Sequence, residues 1–256
     1  MNNYLIANYH THTTRCMHAW GTEREYIEAA IKAGIQVLGF ADHGPIPFTD
    51  GYVSGMRMPM EDAKGYVDTL KALREEYAGR IEIKIGFEAE YMADMYPCQM
   101  EAYRKLGIDY LIMGQHFWKS EKDGPYAGSK TEDENRLMGY VDSVIEGMKT
   151  GSYRYLAHPD LINYVGDDAV YEREIRRMCQ ELKNMGIPLE INLLGLAEKK
   201  HYPRERFWEI AGSVGNQVII GIDAHWKEQI GDMAAYGAAM ELVGKYGLQL
   251  VEKLEM

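Results

Sequence analysis

Tyr4-Leu5-Ile6-Ala7-Asn8 runs into His10-Thr11-His12, and His18 follows after five further residues. The short apolar run reads as a β-strand. Residues two apart on extended backbone face the same way, so His10 and His12 can offer both imidazoles to one ion. One such pair carries little weight; repetition along the chain gives it meaning. Short apolar runs alternate with longer amphipathic ones, the pattern of parallel βα units. The runs predict strands at Tyr4 to Asn8, Gln36 to Phe40, Ile81 to Ile85, Tyr110 to Gly114, Arg154 to Ala157, Pro188 to Ile191 and Gln217 to Gly221. Between them the pattern predicts helices at Thr22 to Ala33, Met60 to Tyr77, Cys98 to Leu106, Glu132 to Lys149, Tyr171 to Met185, Pro203 to Ala211 and Asp232 to Tyr246. Gly34, Gly79, Gly107, Gly186 and Gly247 stand where helix C-termini want a left-handed residue.

Each predicted strand runs into a candidate ligand. In order these are His10 and His12, then Asp42-His43, Glu88 with Glu90, His116, His158, Asn192, and finally Asp223 with His225. Functional groups of α/β barrels gather at the C-terminal strand ends, where side chains from many strands share one mouth. Seven coincidences of this kind are hard to assign to packing. The expectation is an α/β fold, a distorted (β/α)7 TIM-like barrel, with residues 1–256 forming a single domain.

The expected ligand set is His10, His12, His18, His43, Glu88, His116, His158, Asp223 and His225. Nine nitrogen and oxygen donors exceed the needs of one ion and suit two or three, with zinc, manganese or iron all compatible. Strand alternation puts Glu88 and Glu90 on one face and does not choose between them as a bridge. Clustered divalent ions would activate a hydroxide to attack a phosphate ester and neutralise charge on its oxygens. Asp223 could ligate and also orient or deprotonate that water. Asp42 could donate a proton or support a neighbouring ligand, and His225 is a third catalytic candidate. Arg57, in a Met56-Arg57-Met58-Pro59 loop, and Lys199 and Lys200, after the sixth strand, are the candidates for holding substrate phosphate. His201 is expected to stand outside the site, and Cys16 to be a small packed side chain.

Composition narrows the field. The net charge of -11 and pI near 5.2 speak against a general nucleic-acid binder, which would need a basic surface. Three widely spaced cysteines, Cys16, Cys98 and Cys179, fit a reducing compartment. The polar start Met1-Asn2-Asn3 lacks a leader pattern, and apolar runs such as Tyr110 to Met113 are too short to span a bilayer, so a cytoplasmic protein is expected. The sequence is silent on oligomeric state.

His10-Thr11-His12 with His18, Ala41-Asp42-His43, Gly86-Phe87-Glu88, Gln115-His116, Ala157-His158-Pro159 and Gly221-Ile222-Asp223-Ala224-His225 resemble, in this order and nearly end to end, the polymerase and histidinol phosphatase (PHP) family of metal-dependent phosphoesterases. The resemblance implies a trinuclear metal centre in a seven-stranded barrel. It favours Glu88 as bridge, with His10, His12, Glu88 and Asp223 on one ion, Glu88, His116 and His158 on a second, and His18, His43 and His225 on a third. His43-Gly44-Pro45, Met56-Arg57-Met58-Pro59 and Leu189-Glu190-Ile191-Asn192-Leu193-Leu194-Gly195 through Tyr202-Pro203 are most similar to histidinol-phosphate phosphatases, which act in histidine biosynthesis. The last loop shows Ala197 and Lys200 where that resemblance leads one to expect arginines. The implied activity is hydrolysis of the phosphomonoester L-histidinol phosphate, a small-molecule substrate. The alternatives are a PHP phosphodiesterase or exonuclease acting on nucleotides or oligonucleotides, and a nonenzymatic metal-binding barrel.

Overall fold

The computed structural model describes residues 4–256, so the polar start at 1–3 lies outside the described residues. Strands β1 (Ala7–Asn8), β2 (Val37–His43), β3 (Glu82–Ala89) and β4 (Tyr110–Met113) form one parallel sheet in that order. Strands β5 (Leu189–Asn192), β6 (Gln217–Gly221) and β7 (Gln249–Leu250) form a second. Two seams join the sheets. Leu156 makes parallel bridges to Met113 on one side and Leu189 on the other, and Thr11 makes one to Ala224. The sheet thus curls round on itself as a distorted, TIM-like barrel.

Helices α1 (Glu23–Ala33), α2 (Ala63–Glu76), α3 (Tyr96–Leu106), α4 (Glu134–Lys149), α5 (Asp168–Asn184), α6 (Leu193–Ala197), α7 (Glu205–Val214) and α8 (Met233–Tyr246) complete the alternation. Their ends follow local rules. Thr22 and Glu25 form a capping box at the start of α1, and Gly34 closes it in the left-handed conformation. One sequence expectation needs correcting, and two short elements were not expected. Arg154 to Ala157 is not a strand of its own: it contributes the single bridging residue Leu156, while β7, which has only two residues, was missed. The five-residue helix α6 was missed as well, because its Leu-Leu-Gly-Leu-Ala is too short to show a helical period.

Strand alternation separates two cores. Leu38 and Phe40 of β2, Leu111 and Met113 of β4, and Val218 and Ile220 of β6 pack outward in the large cluster that includes the helices. Val37, Ala41, Tyr110, Ile112, Tyr155, Ala157 and Ile219 point inward with Ala7 and Tyr9 and fill the barrel. Continuing the inward register of β2, β3, β5 and β6 toward their C-terminal ends reaches His43, Glu88, Asn192 and Asp223. Inside the barrel, tyrosines fill the base: the Tyr110 hydroxyl donates to the Tyr9 carbonyl at 2.7 Å. Polar ligands therefore stand on an apolar floor. Among the described residues, no helix is long and apolar enough to cross a membrane.

Candidate metal centre

Glu88 is the pivot. Its Oε2 faces His10 Nε2 and His12 Nε2 at 3.5 Å each and His43 Nδ1 at 2.9 Å. Its Oε1 faces His158 Nε2 at 2.7 Å and His116 Nε2 at 3.4 Å. Asp223 Oδ1 lies 3.3 Å from His10 Nε2, 3.0 Å from His12 Nε2 and 3.5 Å from His225 Nδ1. The His18 ring lies 5.2 Å from that of His43 and 4.8 Å from that of His225. The structure thus brings all nine expected ligands into one cluster, with three-residue groups such as His10–His12–Glu88, His43–Glu88–His116 and His18–His43–His225 close enough to share an ion.

The donor set fits divalent cations on a physical ground. His10 Nε2, His12 Nε2, His43 Nδ1 and Glu88 Oε2 are buried without a hydrogen-bond partner, although the three nitrogens face that oxygen across 2.9–3.5 Å. Unpaired buried nitrogens and oxygens are costly, and a shared cation satisfies them together. The tautomers agree. A carbonyl oxygen only accepts, so the His18 ring at 2.6 Å from the Cys16 carbonyl, and His225 at 3.0 Å from the Asp223 carbonyl, carry their proton on Nδ1. Nε2 then presents a lone pair. His116 Nδ1 rests on Glu90 at 3.0 Å and His10 Nδ1 on Glu190 at 2.8 Å in the same way.

Two candidate ligands hold unusual backbone. His158 has φ 29° and Asp223 φ 56°, left-handed values that cost non-glycine residues of order 1–3 kcal/mol and concentrate at functional sites. Electrostatics concentrate there too. For His10, burial works against the charged ring, but Asp223, Glu190 and Glu88 outweigh it and hold its pKa well above the usual histidine value. His12 is likewise raised, against burial, by Asp223 and Asp42. Burial drives His43 well below the usual value. Burial opposes the charge of Glu88 and Asp223, but the surrounding histidines keep both well below the usual carboxylate range.

A cleft of about 310 Å³ opens onto this cluster, lined by His18, His43, Glu88, His116, His158, Asp223 and His225 at its floor. Trp20, Tyr126, Tyr202 and Trp226 form aromatic walls, and Glu198 and Lys200 are the charged side chains of the loop after β5 that line it. Two expectations are corrected and a third is narrowed. Arg57 does not reach the cleft; it is buried, pairing with Glu121 through Nε at 2.6 Å and with Glu90 at 2.8 Å, and donating to the Gly44 carbonyl at 2.8 Å. Its donors are consumed holding Glu90, so Glu90 supports His116 from behind. Lys199 is exposed and does not line the cleft, whereas Lys200 lines it and pairs with Glu198 at 3.2 Å. Asp42 is wholly buried behind His12, at 3.6 Å from its Nδ1, and accepts from the Thr13 N–H at 3.1 Å. It faces away from the cleft, so of its two expected roles its position fits support of a neighbouring ligand and not proton donation to a substrate. Burial pushes its pKa up.

His201 stands aside, bonded to the Leu161 carbonyl at 2.8 Å. Cys16 is closer to the chemistry than a packed thiol need be. It is buried in mutual reach of His12 and His225, whose hydrogen bonds, with that of His18, overcome burial and bring its pKa down to about 4. Glu190 was not singled out by sequence reasoning; its signal was a carboxylate on an inward strand position, two residues before Asn192.

The family model for the PHP domain matches residues 8–193. A protein of Deinococcus radiodurans named probable histidinol-phosphatase is 27% identical over 88% of this chain and 88% of its own length. The histidinol-phosphatase of Bacillus subtilis is 30% identical over 44% of each chain. Among solved structures, the histidinol phosphate phosphatase of Lactococcus lactis, complexed with zinc, L-histidinol and phosphate, superposes with a TM-score of 0.73 at 19% identity, covering 98% of each chain. At that identity the likeness speaks for the fold.

Two outcomes are expected. Replacing Arg57 by Ala leaves Glu90 and Glu121 buried without their partner, so unfolding free energy should fall by about 3–5 kcal/mol; a denaturant midpoint near the parent's would show that the pair does not hold this region. Divalent ions must displace protons held on the raised His10 and His12, so uptake releases protons and affinity climbs as pH rises through neutrality. Calorimetry of zinc binding in two buffers of different ionisation enthalpy checks this, and equal heats would contradict it.

Proposed function

The chain belongs to the PHP domain family, and from that premise we propose that it is a metal-dependent phosphomonoesterase that hydrolyses L-histidinol phosphate to L-histidinol and phosphate. The named relatives support this substrate. The observation that carries the reading is the division of Glu88: one carboxylate oxygen toward His10, His12 and His43, the other toward His116 and His158, at the floor of a cleft sized for a small ester. We propose two or three ions there, zinc, manganese or iron, held by the nine residues named above, in a single barrel made by the whole chain. We also propose a cytoplasmic place in histidine biosynthesis.

When bound, such ions lower the pKa of water toward about 7 and neutralise charge on phosphate oxygens. The chain's own residues do the rest. Asp223 is held as an anion by the histidines around it, and its Oδ2 is fixed by the Asn192 side-chain amide at 3.1 Å, so Oδ1 is aimed to orient a water. Trp20, Trp226, Tyr126 and Tyr202 wall the cleft above the cluster and would flank a phosphate held on its floor. Lys200, a point charge rather than a planar fork, must leave Glu198 to meet an anionic oxygen.

Phosphate release from L-histidinol phosphate, sugar phosphates, nucleoside bisphosphates and short oligonucleotides, with zinc- or manganese-loaded protein and a chelator control, tests the reading. Chelator-sensitive preference for L-histidinol phosphate is expected; preference for nucleotides would replace the substrate, and no turnover at full metal content would replace the function. In the same assay Lys200→Ala should raise KM about three- to tenfold, the loss of a charge-assisted contact on the order of 1 kcal/mol, with kcat little changed. An unchanged KM would return Lys200 to the surface.

A further inference from the structure

Glu190 projects into the barrel from β5 and is wholly buried. Its Oε1 lies 2.8 Å from His10 Nδ1. Its Oε2 accepts two hydrogen bonds at 3.0 Å each, from the backbone N–H of His158 and from the side-chain amide of Asn192. The same Asn192 amide donates to Asp223 Oδ2 at 3.1 Å, and Asn192 Oδ1 accepts from Gly195 N–H at 2.9 Å, capping α6. Two candidate ligands, His10 and His158, therefore meet on one side chain that faces none of the cleft, and a third, Asp223, is tied to it through Asn192. The neighbouring strand makes room for it, since a Cβ at Gly221 would overlap Glu190 Oε1.

We infer that Glu190 is the positioning residue of the centre, fixing the tautomer of His10, the left-handed backbone of His158 and, through Asn192, the rotamer of Asp223. This rests on the reading of the cluster as a metal centre. The logic is one of donors and acceptors. With three donors arriving at two carboxylate oxygens, His10 must carry its proton on Nδ1, which leaves Nε2 as a lone-pair donor facing Asp223 and Glu88.

Glu190→Gln has the same shape and breaks this arrangement in one direction. An amide oxygen on the Oε2 side keeps the bonds from His158 and Asn192, and the amide NH2 then faces His10 Nδ1. His10 can meet it only by accepting there, which moves its proton to Nε2 and removes a ligand. The opposite amide placement sets NH2 against two donors and is worse.

The experiment is nitrogen-15 imidazole NMR on metal-free protein, at a pH where the ring is neutral, together with zinc titration against a competing chelator. Wild type should show His10 with its proton on Nδ1, and Glu190→Gln should show it on Nε2. The first zinc equivalent to bind at His10 should weaken about 10–100-fold in that variant. Glu190→Asp, which keeps two acceptor oxygens, should restore the Nδ1 tautomer and part of the affinity. An Nε2 proton on His10 in wild type, or unchanged tautomer and affinity in Glu190→Gln, would overturn the inference. If Glu190→Gln fails to fold, the wild-type tautomer and Glu190→Asp decide it. Wild type that takes up no zinc would instead remove the metal-centre reading, while the tautomer would still report whether Glu190 holds His10.

Discussion

Negative charge buried at the mouth of the barrel is the constraint from which the rest follows. Asp42, Glu88, Glu90, Glu190 and Asp223 are all less than 5% exposed. Moving a carboxylate out of water costs several kcal/mol even after relaxation, so each needs a cation or a full set of donors. Glu90 has Arg57. The other four have chiefly imidazoles and amides, and the imidazoles of His10 and His12 respond by holding protons above their ordinary range. A barrel that accumulates this much acid on a dry floor is arranged for divalent cations, with protons as their stand-ins.

Room for that chemistry is made by what is missing from the strands. Gly114 lies where a Cβ would overlap Glu88 Oε1, and Gly221 does the same for Glu190. Each central carboxylate thus occupies space that a neighbouring strand gives up. Below them, Tyr9, Tyr110 and Tyr155 close the barrel with large rings, so the polar layer cannot sink. Above them, positive φ at His158 and Asp223 turns the chain sharply as it leaves the strand, aiming each side chain inward at a backbone cost repaid by the contacts it then makes.

Much of this was legible from spacing. A histidine or acid at the end of six of the seven apolar runs marks the C-terminal rim, and the strand period says which way it faces, so most of the cluster's membership can be read without coordinates. Pairwise geometry cannot. Arg57 looked like a phosphate anchor because arginines in loops often are; only its partners Glu90 and Glu121, 33 and 64 residues away, show that it is spent on the interior. Glu88 and Glu90 share a strand face on paper, yet β3 ends at Ala89 and the two diverge, one to the centre and one behind His116. Arg154 to Ala157 read as a strand because its composition is that of one; its backbone does hydrogen-bond to β4, but only Leu156 forms regular bridges, at a seam where the sheet bends from one half to the other. Such features arise from contacts distant in sequence, where local propensity carries no information.

The other seam has a temporal meaning. Thr11 bridges Ala224, the His12 N–H donates to the Ala224 carbonyl at 2.9 Å, and the Ile222 N–H donates to the Asn8 side chain at 2.9 Å, so the earliest ligands in the chain close against the last. During synthesis at about 5–20 residues per second, His10 and His12 leave the ribosome roughly ten seconds or more before Asp223 and His225 exist. The sheet of β1 to β4, with His10, His12, His43 and Glu88, is therefore in place in the chain before its last ligands exist, and the full donor set is complete only when the barrel shuts.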